Sequence, residues 1–205
     1  MAGSKTNGPG PRRYPKGERR REEIIAVAAE VYADAGYQGA SLREIAKRIG
    51  MTHAGLLYHF PSREALLTAV LERRDEQDAE REDLRGPATL GALGHLVELA
   101  GYNQRHSAIV ELYVRLAAEA IAEEHPAHDY FTRHYARARK LAFSSFAALS
   151  EAGQLRPGVD PKTAAVTFIA LMDGLQVQWL TSPEEVDLAG PLRFLLEHLL
   201  TVPLG

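Results

Sequence analysis

The sequence predicts an all-α protein. An N-terminal three-helix unit containing a helix-turn-helix is joined by a long helix to a larger helical body. Three observations lead there. Apolar residues recur at helical spacing almost everywhere after the first 18 positions. No alternating strand pattern of useful length occurs, and there is no internal repeat. The interruptions carry helix-stop and helix-start chemistry, Gly, Pro, Ser and Thr. The chain has 205 residues, 45% hydrophobic and 25% charged, with no cysteine. That is long enough to bury a core without staples. It excludes a disulfide framework, thiol catalysis and cysteine-ligated zinc, and it suits a reducing cytoplasm.

Residues 1–18 read as a flexible basic arm. Gly3, Gly8, Pro9, Gly10, Pro11, Pro15 and Gly17 deny it a helix, and Lys5, Arg12, Arg13 and Lys16 charge it. It has no apolar core of the kind a secretory signal carries. The first helix then places Ile24, Ala28, Val31, Tyr32 and Ala35 on one face, and Gly36 stops it. Ser41 and Glu44 make an S-x-x-E capping box that opens a short helix ending near Ile49 and Gly50. Thr52 caps a third, very short helix reaching about His59. Ser62 caps a long fourth one through Leu66, Leu67, Val70 and Leu71. From Glu72 to Arg85 its charges are mixed and dense, which predicts a solvated rod laced with i,i+4 pairs. Gly86-Pro87 breaks it. Helices follow near 89–105, 107–123, 126–152, 161–181 and 187–201. The expected units are thus the arm (1–18), a small helical unit (19–72) and the body (73–205).

Net charge is −3, but it is unevenly spread. Residues 1–74 hold 13 Lys/Arg against 8 Asp/Glu, and the remainder is acidic. A basic first third on an acidic body points to an anionic partner at one end. No apolar run approaches the ~20 residues that span a bilayer, so no membrane partner is expected.

Residues 41–60 carry the function. Two short capped helices joined by a tight turn containing Gly50 make a helix-turn-helix, whose second helix enters the DNA major groove. Ile45, Ala46, Ile49, Leu56, Leu57 and Phe60 supply its small core, with Ala46 allowing the two helices to cross closely. The run from Ser41 through Gly50, Thr52, His59, Phe60 and Pro61 to Leu67 resembles the DNA-binding domain of TetR-family (tetracycline-repressor-like) transcriptional regulators. So does the preceding Ala28 to Tyr37, and the resemblance covers roughly residues 19–71. It departs at one position. The family places a tyrosine three residues before the phenylalanine, where its hydroxyl meets a phosphate. Here Leu57 stands there, and the tyrosine is Tyr58.

The resemblance implies a homodimer that binds double-stranded DNA and responds to a small molecule, with repression the family's usual sign. Ser41 and Thr52 head helices whose free N–H groups favour phosphate. Arg43 matches a base-reaching position, and its fork suits guanine. Lys47 adds charge. His53, Ala54 and Gly55 open the recognition helix, with Tyr58 beside them. His59 and Arg63 match phosphate-contacting positions. Arg12 and Arg13 of the arm suit a minor groove.

In the body, Phe168, Leu175 and Trp179 on one helix and Leu192, Leu195 and Leu199 on the last recur at helical spacing. The family resemblance makes these faces a four-helix dimer interface. The bland alternative is core within one chain. Tyr102, His106, Tyr113, Tyr130, His134 and Asp173 are polar or aromatic residues among apolar ones, as an effector pocket needs. His125-x-x-His128 has a metal-like spacing but lacks a third ligand, so neither metal nor cofactor is expected. No nucleophile elbow, phosphate loop or HExxH occurs. A small all-α enzyme, or an adaptor that no longer binds DNA, are the competing readings.

Overall fold

The computed structural model describes residues 16–82, 90–105 and 107–204. The Gly86-Pro87 break, His106 and the expected arm up to Pro15 lie outside them, while Lys16, Gly17 and Glu18, expected in the arm, instead form the first turn of a helix. Among the described residues there are nine helices, and the only β-type pairing is a single bridge between Leu155 and Leu200.

Helix α1 (Lys16–Gly39) fully buries Ile24, Ala28, Val31 and Tyr32, the face marked by their spacing. Gly36 takes φ +68°, so the helix is broken where the sequence puts its stop. A left-handed residue there is natural for glycine. The turn leaves Ala35 exposed and returns Tyr37 to the core. In α2 (Leu42–Arg48) the Ser41 hydroxyl accepts from the Glu44 N–H at 3.1 Å. The Glu44 carboxylate pairs with Arg48, also at 3.1 Å. At the other end Gly50 has φ +64°, the Met51 N–H donates to Ala46 O at 2.8 Å, and the Gly50 N–H donates to Lys47 O. Those paired bonds close the helix as a Schellman motif and set the sharp turn. Helix α3 (His53–His59) begins at Thr52, whose hydroxyl accepts from the Gly55 N–H at 3.0 Å. Helix α4 (Arg63–Glu82) begins at Ser62, bonded to the Ala65 N–H. Its 20 residues make a rod of about 30 Å.

The body comprises α5 (Leu90–Asn103), α6 (Ser107–Glu119), α7 (His128–Glu151), α8 (Pro161–Thr181) and α9 (Ala189–Leu199). Helix α6 ends earlier than its apolar spacing suggests. The chain leaves it through consecutive short turns, with the Ala122 N–H on Glu119 O and the His125 N–H on Ala122 O. Glu123 and Glu124 would sit badly at the negative end of a longer helix.

Burial falls into two clusters. One unites α1 to α4 with Leu112, Tyr113 and Leu116 of α6 and Tyr130 and Phe131 of α7. The other joins α5, the rest of α7, α8 and α9. Helix α4 is therefore packed on α1 to α3 and on the body alike. No helix among the described residues is long and apolar enough to cross a membrane.

Candidate nucleic-acid interface and cavity

The capped pair α2–α3 presents one polar face. Ser41, Arg43, Lys47, Thr52, His53 and Ala54 are all exposed. Tyr58 is 87% exposed and meets His59 edge-on, with ring centroids 5.4 Å apart. Leu57, in the position where the family has its tyrosine, is half-buried. A one-residue step along a helix turns a side chain by about 100°, so Tyr58 projects outward where Leu57 packs. Arg43 and Lys47 lie one turn apart, and neither has an ion-pair partner among the described residues. Arg48, by contrast, is held by Glu44 and by Asp34 at 3.6 Å. At Gly55 an added Cβ would stand 3.2 Å from the Thr52 hydroxyl, so glycine there also protects the cap.

Two arginines that read as plain charge in the sequence hold this face in place. The Arg20 guanidinium donates to Ile49 O at 2.8 Å, closing the end of α2. Arg21 donates to His59 O at 3.0 Å and lies 4.1 Å over the Phe60 ring, closing the end of α3. Cations at helix C-termini satisfy orphan carbonyls and favour the dipole.

Arg63 needs correcting. Expected at a phosphate, its guanidinium instead lies 4.0 Å over the Tyr37 ring. Its Nε and one terminal nitrogen are buried without a hydrogen-bond partner. The stack fastens the first turn of α4 to the end of α1. Tyr37 in turn donates to Glu64 at 3.2 Å and touches His125 edge-on. His125 and His128 engage loop backbone, the first through Ala127 N–H and the second at Ala120 O.

The expected dimer faces also need correcting. Phe168, Leu175, Trp179 and Leu192 are 0, 6, 5 and 1% exposed within a single chain. They fill the chain's own second core cluster, so they offer no surface to a partner. Leu195 and Leu199 are half-buried against it. The helical repeat marks the inward face because that face has the steadier apolar spacing. The outward apolar residues are others: Val166 and Val177 on α8 and Phe194 on α9, with exposures of 48, 50 and 62%.

Where the two clusters meet, α4 to α8 line a half-open cavity of about 610 Å³, within the usual range for organic ligands. Tyr113, His134 and Asp173 line it as expected. Tyr102 does not, and it sits near Arg105 instead. Tyr130 stands behind the wall, its hydroxyl donating to Asp75 at 2.8 Å. Asp75 is the residue the sequence hid. His134 lies 3.2 Å from its carboxylate, and Arg137 also binds it. Burial pushes the Asp75 carboxyl up, but His134, Tyr130 and Arg137 together hold it below the usual carboxylate range. Asp173 is the opposite case. Burial raises it, and the neighbouring Tyr135 hydroxyl only partly offsets this. The segment from Glu72 onward is thus not uniformly solvated: Arg74 and Asp75 face the cavity, while Arg73 pairs outward with Glu22 and Glu76.

Known proteins agree with this arrangement. Residues 24–70 match the family described as bacterial regulatory proteins, tetR family. Residues 95–202 match the BetI-type transcriptional repressor C-terminal family. The A-factor receptor protein of Streptomyces griseus is 28% identical over 86% of this chain, a stretch that spans 61% of the receptor's length. The regulator TtgR of Pseudomonas putida is 28% identical, over 86% of this chain and 87% of its own. A TetR-family structure from Rhodococcus superposes with a TM-score of 0.69 at 27% identity, covering 88% of this chain and 96% of that one. With family matches over residues 24–70 and 95–202, a capped helix-turn-helix and a cavity in the body, the chain belongs to the TetR family of DNA-binding transcriptional regulators.

Proposed function

We propose that this regulator represses transcription as a homodimer seated on a palindromic operator, and that a small molecule in the α4–α8 cavity releases it. One observation carries the reading. A rigidly capped α2–α3 pair exposes Arg43, Lys47, His53 and Tyr58, and neither Arg43 nor Lys47 is neutralised among the described residues. Such a face neutralises phosphates and offers donors to base edges. Ser41, Thr52, Ala54, Gly55 and His59 complete it. Arg63 acts from behind, by anchoring α4.

We take residues 19–72 as the reading unit and 73–205 as the sensing and pairing body. The two family matches fall on either side of that division. Two-fold symmetry suits DNA, whose half-sites recur about every 34–36 Å. The exposed strip of Val166, Ala170 and Val177 on α8 and Phe194 on α9 supplies the self-complementary surface. The Streptomyces griseus relative is by its name a receptor, which supports an effector for this chain too. We place the protein in the cytoplasm with the DNA, acting by binding, without catalysis or cofactor. Titrating a labelled duplex at 50 and 200 mM salt tests this. Binding should weaken by orders of magnitude at the higher salt, as phosphate contacts require. Salt-independent or absent binding would favour the adaptor reading.

A further inference from the structure

The cavity's polar atoms specify the charge and bonding of its occupant, given that it is the effector site. Asp173 and Gln176 lie three residues apart on α8, which puts them on one face, and both line the cavity. Gln176 is 8% exposed, and its Oε1 is buried without a hydrogen-bond partner. Tyr113 is 4% exposed, and its hydroxyl is equally buried and unpartnered. Asp173 has no ion-pair partner within bonding distance among the described residues; the Tyr135 hydroxyl bonds it, and His134 and Arg74 act on its charge from farther off. An ionised carboxylate and an amide oxygen are acceptors only. The α8 wall therefore offers adjacent acceptors and no positive charge of its own, and the Gln176 amide NH2 is its one donor group.

The rest of the lining points the same way. Four carboxylates line the cavity, Glu72, Asp75, Glu76 and Asp173, against two guanidiniums, Arg74 and Arg137, and the His134 imidazole, with Glu76 also paired to Arg73. Arg137 is bound to Asp75, and the Arg74 guanidinium lies 4.0 Å over the Tyr113 ring. The remaining wall is largely aliphatic, with Leu96, Leu99, Leu141, Ile169 and Met172.

We propose that the effector is an amphiphilic primary ammonium compound, whose N–H groups bridge Asp173 and Gln176 while its apolar body lies against the leucines. A quaternary ammonium has the charge but no N–H. A neutral alcohol has a donor but no charge. A carboxylate meets Asp173 with repulsion. An ammonium entering this wall gives charge-assisted bonds to Asp173 and to the Gln176 oxygen, which otherwise has no partner.

Calorimetry on the full chain with four matched probes tests this: 4-phenylbutylamine, its N,N,N-trimethyl derivative, 4-phenylbutan-1-ol and 4-phenylbutanoate. The primary amine should bind about tenfold tighter than each of the others, or more. Asp173→Asn and Gln176→Leu should each remove most of that preference, with helicity retained by circular dichroism. Leu141→Trp, which fills the cavity, should abolish binding of every probe. Equal binding of amine and alcohol, or stronger binding of the carboxylate, overturns the ligand class while the cavity stands as a binding site. Equal binding of the trimethyl compound overturns the N–H requirement. Binding that survives Leu141→Trp, or no binding by any probe, overturns the class and the cavity together. The selectivity of the unmodified chain decides the point even where a variant folds poorly.

Discussion

Arg43 and Arg63 are the same residue type within 20 positions, yet the structure gives them different work. Arg43 is exposed at the start of α2, and Arg63 is stacked on Tyr37. Arg43→Ala should relax preference at one base pair, costing about 1–3 kcal/mol there. Lys47→Ala should weaken all sequences alike and lower the salt slope by about one. Arg63→Ala should leave the salt slope unchanged. It should instead destabilise the fold, by about 0.5–2 kcal/mol for the lost cation–π contact, read by urea denaturation. Sequence position alone could not separate these arginines, because a stacked guanidinium and a solvated one look identical in a string. The same holds for Arg20 and Arg21, whose carbonyl partners lie 29 and 38 residues away. The turn itself was legible, since Gly50 follows a capped helix of fixed length. Gly50→Ala should cost about 1–2 kcal/mol, because an L side chain adopts its φ of +64° only with strain.

At the scale of elements, α4 is the part whose sequence misleads. Glu72 to Arg85 alternates charge like a solvent-facing helix, and periodicity cannot tell a buried carboxylate from an exposed one. Asp75 is in fact the pin between α4 and α7, taking Tyr130, His134 and Arg137. Tyr130→Phe should cost about 1.5–3 kcal/mol, the range for hydrogen bonds to charged groups. Asp75→Asn should destabilise at neutral pH. Because the folded-state pKa of Asp75 lies below its ordinary 3.8, the carboxylate's contribution is full above that value and is lost as pH falls through the lowered one. The difference between parent and variant should therefore shrink on acidification below about pH 4, measured as the gap in thermal midpoint. Most other elements were legible to within a few residues, since caps and glycines mark their ends. The cavity was half legible. Tyr113, His134 and Asp173 stood out as polar residues on apolar helices, whereas Asp75 had no such contrast with its charged neighbours.

For the whole molecule, the question is which surfaces meet another copy or DNA. Phe168 and Leu192 were expected at the interface but belong to one chain's core. A long apolar repeat is strongest on the face that packs inward, and the outward strip is interrupted by Thr, Gln and Gly, which weakens its signal. Val177→Asp combined with Phe194→Asp should give helical monomers by sedimentation, with operator affinity lost. Phe168→Ala should remain dimeric while losing about 3–5 kcal/mol of stability.

If the exposed α2–α3 face reads DNA as one half of a symmetric pair, it must choose a sequence with the same symmetry. Selecting and sequencing duplexes bound from randomised DNA measures this directly. Enrichment should converge on a two-fold symmetric site with half-sites about one helical turn apart, or a multiple of it. The enrichment should vanish when Arg43, Lys47 and Tyr58 are all replaced by alanine. Recovery of no preferred sequence, or of one unaffected by that triple replacement, would contradict the assignment of this face as the DNA reader.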